Sequence, residues 1–174
     1  MRRIINDEAL DTLFRAAACP HAWLARPVSD TLLRAVWELV KLGPTNGAGR
    51  PARILFIRSE DAKARLAPAV PAAHRETVMT APVAAIVATA RDSEPRPAEP
   101  HGDALEAAYL IVAARALGLD CAPVWELDGA IVDAAFFSDG TAGANFLCGL
   151  GYGDDTQLSP VERRPALDEA CRIL

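Results

Sequence analysis

ALEAAYLIVAARALGLD, residues 104–120, is the stretch on which the fold turns. Leu105, Ala108, Val112 and Ala116 line one helical face, while Tyr109, Leu110 and Ile111 make the segment apolar nearly all round. A helix of that kind belongs in the middle of a domain or at an interface between two copies. Just before it, residues 91–103 read RDSEPRPAEPHGD. Three prolines among mixed charges exclude a helix or a central strand there, so the segment is expected to be a surface connector.

Working outward, the apolar pattern alternates between helix and strand. Leu10, Leu13, Phe14 and Ala17 recur at i, i+3, i+4 and i+7, which predicts an amphipathic helix ending near Pro20. Ser29 reads as an N-cap for a second helix carrying Leu33, Val36, Trp37 and Val40, stopped by Gly43 and Pro44. ARILFIRS from Ala52 and APVAAIVATA from Ala81 are apolar enough to be strands buried on both faces. Short helices are predicted over residues 60–66 and 75–79. CAPVW, from Cys121, reads as a short extended piece, and GAIVDAAFF, from Gly129, as a helix. NFLCGLGYGD, from Asn145, is a third buried strand that breaks into a glycine loop, and PALDEACRIL is a final short helix or tail. Interleaved helices and short apolar strands predict a sheet covered by helices on both faces.

The chain has 174 residues, 51% hydrophobic and 24% charged, which suits one domain over residues 1–174 rather than two. Lys and Arg total 18 against 23 for Asp and Glu, a formal net charge of −5. The longest basic runs are the pairs Arg2-Arg3 and Arg163-Arg164, so neither nucleic acid nor an anionic membrane is an expected partner. Cys19, Cys121, Cys148 and Cys171 lie far apart, without metal-ligand spacing. No stretch has signal-peptide or membrane-spanning character, and a cytoplasmic protein with reduced thiols is the expectation.

Two glycine-rich segments ask for a function. GLGYGD, residues 149–154, contains G-x-G-x-G after a strand, but Asp154 and Asp155 follow in place of the helix that would receive a pyrophosphate. A turn after a core strand is the better reading. GPTNGAGRP, residues 43–51, can present backbone N–H groups to an anion, with Thr45 and Asn46 as donors and Arg50 as a charge. The same residues also make an ordinary helix-to-strand connection. No nucleophile elbow or local cysteine signature is present, and His74 and His101 read as solvated residues.

PVSD, PARILF, PHGDA, AAYLIVAARALGLD, DAAFF and GLGYGD…RRPALDEAC, in this order, resemble the FMN-dependent nitroreductase family nearly end to end. The nearest likeness is to its malonic semialdehyde reductase branch. The resemblance implies an α+β fold, with a central mixed or antiparallel sheet flanked by helices, in an intertwined homodimer. It also implies FMN at the dimer interface and hydride transfer from NADPH or NADH to a small electrophile of aldehyde, nitro or quinone-like character. The flavin carries such chemistry, so no acid–base dyad need be visible.

Residue by residue, the resemblance assigns Pro44, Thr45, Asn46 and Pro51 to the flavin-edge loop, in which Arg50 supplies a charge, and Pro123 and Val124 to a strand whose backbone meets the ring. His21 falls on one phosphate-binding segment, and Arg163 and Arg164 fall on the other. Four departures accompany these matches. Ala18 and Ala48 stand where the family has an arginine and an asparagine, and Glu126 replaces a glycine. The connector at residues 91–103 also lacks a helical excursion that covers the flavin in the nearest branch. Two functions therefore stay open: a shortened flavin oxidoreductase, or a protein of the same fold that has lost flavin and serves as a ligand-binding or interaction protein.

Overall fold

The computed structural model describes residues 4–44, 52–91, 102–157 and 164–173, without the side chains of 102 and 103. Four strands, β1 (Ala52–Ile57), β2 (Val83–Ala90), β3 (Asp120–Val124) and β4 (Ala142–Gly151), form one sheet in the order β1-β2-β4-β3. Every pairing is antiparallel. The sheet is thus antiparallel throughout rather than mixed, and CAPVW supplies a fourth strand at one edge.

Each face of the sheet carries its own core because strand side chains alternate. Val83, Ala85 and Val87 of β2, with Phe146, Cys148 and Leu150 of β4, pack on one face. They meet Leu33, Val36 and Val40 of helix α2 (Asp30–Val40) and Ala107, Leu110, Ala113 and Ala114 of helix α5 (Gly102–Ala116). Ala84, Ile86 and Leu147 point to the other face. There they meet Leu66 of helix α3 (Glu60–Leu66), Val78 of α4 (Ala72–Thr80) and Val132 of α6 (Gly129–Phe136). This is the helix-covered sheet that the fully apolar strands predicted.

Local signals place the helix starts. Ser29 Oγ accepts the Leu32 N–H at 3.2 Å, Ser59 Oγ accepts the Ala62 N–H at 3.3 Å, and Asp128 receives the N–H groups of Ala130 and Ile131. The C-terminal helix α7 (Leu167–Ala170) is one exposed turn.

Two expectations are corrected, and one point that the sequence left open is decided. The N-terminal helix is α1 (Asp7–Leu10) continued by a π-helical turn to Arg15, and it buries no residue. Phe14 stays 49% exposed, while Leu10, Leu13 and Ala17 of the same stripe are half-buried. The helix expected over 75–79 is longer, since Pro71 starts it early. In α5 the buried face is Ala107, Leu110 and Ala114, whereas Leu105, Ala108 and Ala116 are exposed. An almost uniformly apolar helix carries no pattern that says which side meets the sheet.

Candidate functional site

The segment around His21 is stitched to the loop that follows β4. The His21 N–H donates to Gln157 O at 3.1 Å, the Leu24 N–H to Tyr152 O at 2.8 Å and the Asp154 N–H to Ala22 O at 3.0 Å. Trp23 bridges to Gly153 and sends its indole N–H to Thr77 O at 2.8 Å. The glycine spacing of GLGYGD serves this packing. A Cβ on Gly151 would lie 2.5 Å from Pro82 Cδ and 2.9 Å from Trp23 Cε3. The loop is closed by Asp120, which receives the Gly153 N–H at 2.7 Å, and by Asp154, which receives the Thr156 hydroxyl and N–H. The Thr156 hydroxyl, then its N–H, hold the Asp154 carboxyl below its ordinary range.

His21 is exposed, with its carbonyl accepting from Thr77 Oγ1. Gln157, its backbone partner, is the last described residue before the chain resumes at Arg164, which is exposed. Arg163 lies outside the described residues. Sequence reasoning missed Arg26, whose guanidinium lies 3.8 Å over the Tyr152 ring at this same end of the sheet. The signal was available only as an arginine a few residues beyond His21.

The second candidate region is the connection between α2 and β1. Residues 45–51 lie outside the described residues, and with them Thr45, Asn46, Arg50 and Ala48. The two stems of that connection are described, and both are held by α5. The Tyr109 hydroxyl donates to Pro44 O at 2.7 Å, and the Ala52 N–H donates to Glu106 Oε1 at 3.0 Å. Residues 106 and 109 are neighbours on one helical face, so one short stretch of α5 grips both ends. Gly43 is required for this grip, since a Cβ there would fall 2.2 Å from the Tyr109 ring.

Pro123 and Val124 end β3. Val124 is 3% exposed and packs into the α3/α4/α6 core, so only its backbone is open to a ligand. Glu126 is exposed. Between them Trp125 is 55% exposed, with its ring 4.4 Å from that of buried Phe146 at 51°. The neighbouring Asn145 is the extra residue of a bulge, because Val87 pairs with Phe146 while Ala88 pairs with Ala144. Its Nδ2 donates to Thr89 Oγ1 at 3.0 Å, and its Oδ1 is buried without a partner. One polar residue inside an apolar strand was the signal for this position.

Most cations already have structural partners. Lys63 reaches the carbonyls of Met79 and Ala81 at the C-terminal end of α4, and burial lowers its pKa. Arg75 binds the carbonyls of Ala67 and Val70, Arg65 that of Ala135 and Arg115 that of Leu13. Arg58 pairs with Asp30, and Arg91 with Asp133. Among the described residues, Arg26, Arg34, Arg164 and Arg172 have neither a carboxylate nor a carbonyl partner. An anionic group needs such unclaimed donors, and of the four Arg26 lies at the His21 end of the sheet, over Tyr152. Also among the described residues, no three His, Cys, Asp or Glu side chains come together to hold a metal, and no helix is long and apolar enough to cross a membrane. Burial pushes the Cys148 thiol well above its ordinary value, beside Cys121, so this thiol is inert at neutral pH.

Comparison with known proteins gives a consistent picture. No family model matches the chain. A protein of Polynucleobacter asymbioticus, named by inference as an NADH dehydrogenase/NAD(P)H nitroreductase, is 40% identical over 196 aligned positions covering 100% of both chains. A Burkholderia lata protein with the same inferred name is 42% identical, covering 97% of this chain and 98% of its own. Among solved structures, a nitroreductase of Exiguobacterium sibiricum in complex with FMN superposes with a TM-score of 0.80 at 19% identity. The superposition covers 99% of this chain and 100% of that one.

Proposed function

The chain belongs to the nitroreductase family, and from that premise we propose that it is an FMN-dependent NAD(P)H oxidoreductase acting as a homodimer. What supports the reading most is the His21–Gln157 hydrogen bond. It ties the first segment that the family likeness assigns to the flavin phosphate to Gln157, which precedes the second in sequence, at the end of the sheet where the Arg26 guanidinium stacks on Tyr152.

In this reading His21, Arg163 and Arg164 hold the phosphate. Thr45, Asn46 and Arg50 line the ring edge from a loop whose stems Tyr109 and Glu106 keep in place. The backbone at Pro123 and Val124 lies against the ring, and Trp125 walls the space beside it. Bound FMN supplies the two-electron chemistry between a nicotinamide nucleotide and a small electrophilic acceptor, an aldehyde, nitro compound or quinone. The protein's part is to bind, orient and exclude water.

Within the family, the reading takes the sequence likeness to the malonic semialdehyde reductase branch as its proposal for the acceptor. The sequence of residues 91–103 lacks the helical excursion that this likeness leads one to expect, and in this reading the acceptor pocket is wider, wetter or rebuilt. Dimerisation has its own support. The outward face of α5 is apolar, with Leu105 42% exposed, and β1 lies at a sheet edge while Ile173 of the tail is 90% exposed. An intertwined pair would cover all three.

A second reading, a flavin-free binding protein, is favoured by Glu126, an exposed carboxylate where the family carries glycine. One experiment separates the two. Purified protein is examined for visible absorption, and apo-protein is titrated with FMN while flavin fluorescence is followed. A yellow preparation bleached by NADPH or NADH is expected. A colourless protein that leaves FMN fluorescence unquenched would retire the enzyme reading.

A further inference from the structure

We propose that Arg26 is a phosphate-binding residue of the flavin site and supplies the cation that Ala18 cannot. The inference rests on the FMN reading above and adds to it a residue outside the positions that the family likeness assigns.

The geometry is that of a preoriented donor. Arg26 ends the segment that is stitched to the post-β4 loop, two residues beyond the Leu24 N–H to Tyr152 O bond. Its own N–H turns back to Leu24 O at 2.7 Å, which fixes the backbone. Its guanidinium lies 3.8 Å over the centroid of the Tyr152 ring. Stacking occupies only the face of a planar guanidinium. The N–H groups point outward in its plane, in the fork that matches two phosphate oxygens.

The carboxylates nearby do not claim this fork. Asp120 Oδ2 receives the Gly153 N–H, and the oxygens of Asp154 receive Thr156 and Gln157. Asp155 is exposed to solvent. Among the described residues most other arginines cap carbonyls, pair with acids or bind a hydroxyl, and of the four that do none of these Arg26 is the one oriented by stacking on a ring. Ala18, by contrast, is half-buried and carries no donor on its side chain.

The ligand chemistry is a phosphate monoester, which two compounds present: FMN at its ribityl end, and NADPH at its 2′ position. The proposal commits to FMN, and the test compares each compound with its phosphate-free counterpart. Dissociation constants for FMN and for riboflavin are measured by fluorescence titration of full-length apo-protein, for wild type, Arg26→Ala and Arg26→Lys. The ratio of Michaelis constants for NADH and NADPH is measured on the FMN-loaded forms. Thermal melting of each variant reports folding.

Arg26→Ala is expected to weaken FMN about tenfold or more and to change riboflavin by less than about threefold. Arg26→Lys is expected to recover part of the FMN preference, because it restores the charge without the fork. Equal weakening of FMN and riboflavin would mean that Arg26 only shapes the fold, and would overturn the proposal. So would an unchanged FMN constant, or a loss confined to the NADPH preference. Wild-type protein that binds no FMN would end the flavin reading itself, whereas FMN-binding wild type with an indifferent Arg26→Ala ends only this inference.

Discussion

At the scale of single residues, the sequence shows which side chains are present and the structure shows which are already engaged. Four of the candidate positions, Thr45, Asn46, Arg50 and Arg163, fall outside the described residues. Of the others, Val124 gives its side chain to the core, while Arg164 remains exposed and unpaired among the described residues. Arg164→Ala is therefore expected to raise the FMN dissociation constant by one to two orders of magnitude, about 1.5–3 kcal/mol for a charge-assisted contact. A fluorescence titration reads it, and an unchanged constant would show that the phosphate is held by other groups. Gly151 makes a different prediction. Its Cβ in alanine would press on Pro82 and Trp23, so Gly151→Ala should destabilise the protein by about 1–3 kcal/mol. Urea denaturation checks this, and a melting curve equal to wild type would refute the close-packing role. The GLGYGD spacing was readable as a turn rather than a nucleotide loop. That Trp23 fills the space was not, because the two segments are far apart in sequence.

At the scale of elements, both ends of β4 are closed by the same device. Asp139 receives the N–H and hydroxyl of Thr141 just before the strand, and Asp154 those of Thr156 just after it. These bonds lower both carboxyl pKa values, the Thr141 N–H leading at Asp139 and the Thr156 hydroxyl at Asp154. A lowered folded-state pKa favours the folded form while the group is ionised. The contribution is complete above the ordinary carboxylate pKa of about 4 and is lost as pH falls through the lower folded-state value. Asp139→Asn/Asp154→Asn should therefore lose less stability than wild type between neutral pH and about pH 3, measured by denaturant midpoints. Equal acid sensitivity would place the titration elsewhere. The helix cap Ser29 was legible because a cap is a local event within one turn. The short α1 was not, since its apolar spacing looked like a fully buried core face, whereas Leu10 and Leu13 are only half-buried and Phe14 is exposed.

For the whole molecule, two cores on one antiparallel sheet leave apolar surface on the outside of α5 and on the N-terminal segment. Ile4 is 94% exposed, Ile5 50% and Leu105 42%. Covering it in a dimer predicts that light scattering during size-exclusion chromatography reports twice the chain mass. Leu105→Glu is expected to shift the protein toward monomer and to weaken FMN binding in parallel, since the resemblance sets the flavin at the interface. A monomeric wild type would contradict the dimer, and a monomeric variant with full FMN affinity would place the flavin within one chain.

By itself the sequence determined the three central apolar strands, the Ser29 helix start, the family and hence the chemistry to expect, because periodicity, caps and ordered motifs are properties of neighbouring residues. Tertiary structure alone decided which side of α5 meets the sheet, which glycines make room for rings and which arginines are left with free donors. Those facts depend on partners brought together from distant parts of the chain, and a guanidinium that caps a carbonyl is indistinguishable in sequence from one that waits for an anion.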